Sequence, residues 1–212
     1  MKKDVKKALP LYLVTDRRWL KESLIQTVEK AIQGGVTCVQ LREKNFNHEQ
    51  LIEEGKQLLA LCHQYHIPLI MNDYVDMMLE IQADGVHVGQ GDMDAKKVRE
   101  MIGPDKILGV SVRTMEQALK AQQDGADYLG VGSIFVTHTK DDAKKVEIQT
   151  LKDICQAVDI PVIAIGGIGQ NNLLQLKGTG IDGVAVVSAI MAQDDVFKAA
   201  QNLKGKVKED IL

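Results

Sequence analysis

Short β-branched apolar runs alternate with longer segments of helical spacing along the whole chain. The runs fall at residues 11–14, 36–41, 67–71, 85–88, 107–111, 128–131, 161–165 and 183–187, eight in all. Between them, segments with helical spacing at Leu24, Val28, Ala31 and Ile32, at Leu51, Leu58, Leu59 and Cys62, and at Met115, Ala118, Leu119 and Gln122 predict helices. No run can stand alone, and eight strand-then-helix units imply parallel strands joined by right-handed crossovers. The expected architecture is α/β: a single (β/α)8 TIM barrel over residues 1–212. An open doubly wound sheet is the alternative, but the Gly-x-Gly-x-x-Gly turn such sheets carry after their first strand is missing.

A faint repeat supports closure. Gly34-Gly35-Val36-Thr37, Ala83-Asp84-Gly85-Val86, Gly125-Ala126-Asp127-Tyr128 and Gly180-Ile181-Asp182-Gly183 each stand between a helix and the next strand. Glycine there can end a helix at positive φ, and aspartate can satisfy backbone donors at a strand start. These read as fittings of the barrel's stability face.

Composition narrows the function. With 212 residues there is room for one sizeable core, and a net charge of −3 with both signs interspersed offers no nucleic-acid or membrane surface. Aromatic residues make up 4%, too few for rows of base-stacking side chains. Cys38, Cys62 and Cys155 form no Cys-x-x-Cys pair, which suits reduced thiols in a cytoplasmic protein better than disulfides or zinc. The apolar start, residues 8–14, contains Pro10 and runs into Asp16-Arg17-Arg18 without a small-residue cleavage site, so it does not read as a signal peptide. Apolar helical faces fit core burial and subunit packing alike, leaving a homo-oligomer open.

In a barrel the chemistry sits just past the strand ends. Gln40-Leu41-Arg42-Glu43-Lys44 ends the second run and offers cations to an anion. Asn72-Asp73 follows the third, and Gly89-Gln90-Gly91-Asp92 the fourth. Asp73 and Asp92, on adjacent strand ends, could share a magnesium ion, although each also fits a helix N-cap. Ser111 closes the fifth run. Residues 132–145 form a long charged loop that reads as a lid, in which Thr137, Thr139 and Lys140 can donate to phosphate. His138, alone in that loop, has no visible partner, and His87 reads as a barrel-interior histidine. Gly166-Gly167-Ile168-Gly169 and Val187-Ser188-Ala189-Ile190 end the last two strands and can form a backbone anion cup.

Taken together, Leu11-Tyr12-Leu13-Val14-Thr15-Asp16, the pentapeptide from Gln40, Ile70-Met71-Asn72-Asp73, Gly85-Val86-His87-Val88-Gly89-Gln90 with Asp92, Gly109-Val110-Ser111, Thr137-His138-Thr139-Lys140 with Asp142-Ala143, Ala164-Ile165-Gly166-Gly167-Ile168 and Val186-Val187-Ser188-Ala189-Ile190 resemble the thiamine-phosphate synthase family over nearly the whole barrel. The resemblance implies a magnesium-dependent transferase that joins 4-amino-2-methyl-5-(diphosphooxymethyl)pyrimidine to thiazole phosphate and releases pyrophosphate. It implies that Gln40, Arg42, Lys44, Asn72, Ser111 and Lys140 hold the pyrimidine diphosphate, with Leu41 and Glu43 in the same segment. Thr137, Thr139, Gly167, Val187 and Ser188 would hold the thiazole phosphate, with His138 between the threonines, and Asp73 and Asp92 would bind Mg2+. Arg42, Ser111 and Lys140 are the candidates for catalysis. Val136 stands where the family carries proline. A thiazole tautomerase on the same barrel, which tends to lose the diphosphate and metal residues, and an idle phosphate-binding barrel are the competing readings.

Overall fold

The computed structural model describes residues 5–43, 47–137 and 145–212. Its elements are α1 (Val5–Ala8), β1 (Leu11–Val14), α2 (Leu24–Gln33), β2 (Cys38–Leu41), α3 (His48–Gln64), β3 (Leu69–Asn72), α4 (Val75–Ile81), β4 (Gly85–Val88), α5 (Ala95–Ile102), β5 (Ile107–Val112), α6 (Met115–Gln123), β6 (Tyr128–Val131), α7 (Ile148–Ala157), β7 (Val162–Ile165), β8 (Gly183–Val186), α8 (Ser188–Met191) and α9 (Val196–Asp210). The strands close in sequence order into a parallel barrel, β1 pairing with both β2 and β8. The seventh crossover departs from the expected strand-then-helix unit. It carries only a 3₁₀ turn, Leu173–Leu176, between Gly169 and the positive-φ glycines Gly178 and Gly180, a segment too short for a longer helix.

Polar caps set the helix starts. Ser23 and Gln26 form a capping box on α2, while Asn47, Asp94, Thr114 and Asp195 accept backbone N–H bonds at the starts of α3, α5, α6 and α9. The predicted stripe of α2 is fully buried. On α6 the stripe is turned: Ala118 and Ala121 face the sheet, and Leu119 is 46% exposed. Alternation along each strand divides the core in two. Leu11, Leu13, Val39, Leu41, Met71 and Val86 pack outward against the helices. Tyr12, Cys38, Ile70, Ile107, Tyr128, Ile163 and Ala185 fill the barrel, with Leu9 and the flanking α1 closing its lower end.

The repeat seen in the sequence is a set of clamps at that lower end. Thr37 donates its N–H to the Leu11 carbonyl, and its Oγ1 accepts from the Leu11 N–H at 3.0 Å. Asp84 does the same for Leu69, Asp127 for Leu108 and Asp182 for Val162, with Oδ2 accepting at 3.0, 2.9 and 2.9 Å. Each residue precedes an even-numbered strand and fastens the odd-numbered strand before it. The three carboxylates are in turn paired with His63, Arg99 and Lys6.

Candidate active site

At the carboxyl ends of the strands the barrel opens into a cavity of about 150 Å3, lined by residues from all eight strands. Gln40 and Arg42 enter it from β2 because strand alternation turns every second side chain inward. Leu41 and Glu43 have the opposite parity. The Leu41 side chain is buried in the outer core, and Glu43 pairs with Arg17, so these two members of the pentapeptide do not face the cavity with their side chains. Burial pushes the Glu43 carboxyl above its ordinary range, and Glu43 Oε1 has no hydrogen-bond partner among the described residues.

Arg42 is held from two sides. Its N–H donates to Thr15 Oγ1 at 2.9 Å, and its guanidinium lies 3.6 Å from Asp16 Oδ2. Burial works against ionisation of Asp16, but the paired hydrogen bonds from Arg18 outweigh it and, with the charge of Arg42, hold the carboxyl below its usual range.

Asn72, Ser111, Thr137, Gly167, Val187 and Ser188 line the same cavity. Asn72 ends β3, and Ser111 lies within β5 rather than after it. Thr137 is brought in by an extension of the ladder beyond β6 and β7, in which Ile134 and Phe135 donate to the carbonyls of Ile165 and Gly166, each at 3.0 Å. Gly166 and Gly167 have φ of 102° and 63°, and a Cβ on Gly167 would stand 2.4 Å from the Val136 carbonyl oxygen. Only glycine gives both that turn and that approach. Beside it, Ser188 opens α8, where the first backbone N–H groups have no partner within the helix.

Asp73 and Asp92 lie outside the cavity lining, exposed past the ends of β3 and β4. Neither is a helix cap: Tyr74 precedes α4, and Asp94 caps α5. Asp73 sits at φ 64° and accepts from Asn72 Nδ2 at 2.6 Å, while Asp92 Oδ2 accepts from the Gly89 N–H at 2.7 Å. Among the described residues there is no cluster of three or more His, Cys, Asp or Glu side chains that could hold a metal ion. Lys44, His138, Thr139 and Lys140, and with them half of the expected lid, lie outside the described residues.

Three cavity groups escaped the sequence reading as functional residues, Tyr12, Ser133 and Arg113, and so did Tyr128, buried beneath the cavity against Tyr12 and His87. Arg113 shares the parity of Ser111, a signal that was present. Tyr12 and Tyr128 sit in wholly apolar runs where parity is invisible. His87 is inside the barrel, with both ring nitrogens hydrogen-bonded. No helix among the described residues is long and apolar enough to cross a membrane.

Residues 11–190 match a family model described as thiamine monophosphate synthase. A thiamine-phosphate synthase of Clostridium tetani is 54% identical over 94% of this chain and 96% of its own length. One from Methanobrevibacter smithii is 48% identical over 94% of this chain and 96% of its own. Among solved structures, a thiamine phosphate pyrophosphorylase from Pyrococcus furiosus superposes with a TM-score of 0.91 at 40% identity, covering 99% of this chain and all of the other.

Proposed function

We propose that this chain, which belongs to the thiamine monophosphate synthase family, catalyses thiamine-phosphate synthesis through the cavity at the carboxyl ends of its strands. The observation that carries the reading is convergence: Gln40, Arg42, Asn72, Ser111, Thr137, Gly167, Val187 and Ser188, scattered along the sequence, line one cavity. The reaction breaks the bond between the pyrimidine methylene carbon and the diphosphate oxygen, and the thiazole nitrogen supplies the electron pair for the new carbon–nitrogen bond. Its departing group gathers negative charge while the methylene carbon becomes cation-like. Electrostatic stabilisation of that leaving oxygen is therefore the main task of the site.

Arg42, tethered by Thr15 and Asp16, is a fixed guanidinium at the place where a diphosphate would lie. Lys44 and Lys140 are assigned to the same charge. Gln40, Asn72 and Ser111 hold the pyrimidine. Thr137 and the backbone of Gly167, Val187 and Ser188 hold the thiazole phosphate, where glycine turns and a helix start favour an anion. No strong general base is needed, because the nucleophile is a ring nitrogen with its own lone pair. Exclusion of water from the cavity protects the cationic carbon from hydrolysis.

Asp73 and Asp92 fit magnesium. They are hard oxygen donors on neighbouring strand ends, and magnesium takes one or two carboxylates with water and substrate phosphate. When bound, the ion neutralises diphosphate charge. The substrates and a cytoplasmic location belong to this reading.

The test is to supply both substrates with magnesium and assay pyrophosphate and thiamine phosphate. Stoichiometric release of the two products is expected. Binding without turnover would point to an idle barrel, and isomerisation of the thiazole carboxylate alone to a tautomerase.

A further inference from the structure

A line of buried polar groups crosses the floor of the cavity. Gln40 Nε2 donates to the Tyr12 hydroxyl at 2.9 Å, and the Tyr12 and Tyr128 hydroxyls lie 2.7 Å apart. The Tyr128 hydroxyl lies 2.9 Å from His87 Nδ1, and His87 Nε2 lies 2.8 Å from Ser111 Oγ. The interior is shaped around this line. A Cβ on Gly109 would stand 2.2 Å from Tyr128 Cζ and 2.4 Å from His87 Nδ1.

Proton bookkeeping fixes its direction. With Gln40 donating to its oxygen, Tyr12 passes its own hydrogen to Tyr128, the Cys38 thiol nearby being a much weaker acceptor. Tyr128 then donates to His87 Nδ1, so the imidazole hydrogen sits on Nε2 and is given to Ser111 Oγ. Burial raises both phenol pKa values well above the ordinary range, which keeps their hydrogens in place. Two groups at the cavity ends are thereby polarised: Ser111 presents a donor and Gln40 Oε1 an acceptor.

We propose that His87, Tyr128 and Tyr12 are positioning residues that set this polarity, so that the cavity selects a heteroaromatic ring bearing an amino group and an unprotonated ring nitrogen. The inference rests on the proposed synthase reading for the identity of the ring, and deepens it. A ring carrying a carbonyl and an N–H at the same positions offers the opposite pattern and is rejected.

The test compares the 4-aminopyrimidine alcohol with its 4-oxo counterpart, by calorimetric binding to the full chain and, as diphosphates, by kcat/KM. Tyr128→Phe frees the imidazole to take either tautomer and should reduce the amino-over-oxo preference about tenfold, the scale of one directed hydrogen bond. Magnesium pyrophosphate binding should stay unchanged. In a Ser111→Ala background the same substitution should have no further effect, whereas a merely structural role would cost the same in both. Should Tyr128→Phe not fold, His87→Gln, whose amide can accept and donate in turn, should keep the preference that His87→Leu loses. An unchanged preference on cutting the line, or fully additive penalties, overturns the proposal. Absence of turnover with the preference and its dependence on Tyr128 intact would sink the synthase reading and leave this one standing.

Discussion

At the scale of one residue, Asp92 has a duty in the fold and, on the proposed reading, a second toward the metal. Its Oδ2 closes the loop after β4 by accepting from Gly89, and its charge is what a cation would use. Asp92→Asn keeps an acceptor oxygen for Gly89 but removes the charge. Activity at limiting magnesium should fall at least about tenfold with no change in melting temperature, read by titrating the metal in the product assay. Asp16 shows the converse, a charge that works by holding another residue. Its pKa is depressed in the folded protein, so its contribution is present above the unfolded value of about 3.9 and is lost as pH falls through the folded value. Asp16→Asn should cost about 1 kcal/mol at neutral pH, discounted for partial solvent screening, and the gap from the parent should close as pH falls below the unfolded value and through the lower folded one. Urea unfolding across that range would measure it, and a raised KM for the diphosphate would show that Arg42 had lost its tether.

Elements are locked at the face away from the site. Thr37, Asp84, Asp127 and Asp182 fasten β1, β3, β5 and β7 by two hydrogen bonds each. Asp127→Ala would leave the Leu108 N–H and the Arg99 guanidinium without an acceptor they now share, so a loss of about 3 kcal/mol is expected in urea unfolding. Thr37→Ala removes an uncharged acceptor and should cost about 1 kcal/mol. Both variants should retain parental kcat/KM while folded, because these clamps lie at the opposite end of the strands from the cavity. The clamp positions were legible as a repeat in the sequence, since each uses a short polar side chain acting on nearby backbone. Helix faces were less so: Leu119 has helical spacing with its neighbours, yet the two alanines of α6 take the buried side.

For the molecule as a whole, stability and chemistry occupy different layers. The outer core between sheet and helices is apolar, the inner core within the barrel is apolar except for the hydrogen-bonded line from Gln40 to Ser111, and Asp73 and Asp92 stand exposed above both. Chelating divalent metal should therefore abolish product formation while leaving far-ultraviolet circular dichroism and the melting temperature unchanged; a drop of several degrees would mean that the ion supports the fold. The sequence alone determined the number and kind of elements, because strand and helix periods are local, and it placed the polar residues at strand ends, because charge cannot be buried in a parallel sheet unpaired. Tertiary structure decided which side of each strand faces inward. Strands buried on both faces carry no alternating signal, so only barrel closure turned Leu41 and Glu43 away from the cavity and brought Tyr12, His87 and Tyr128 together beneath it.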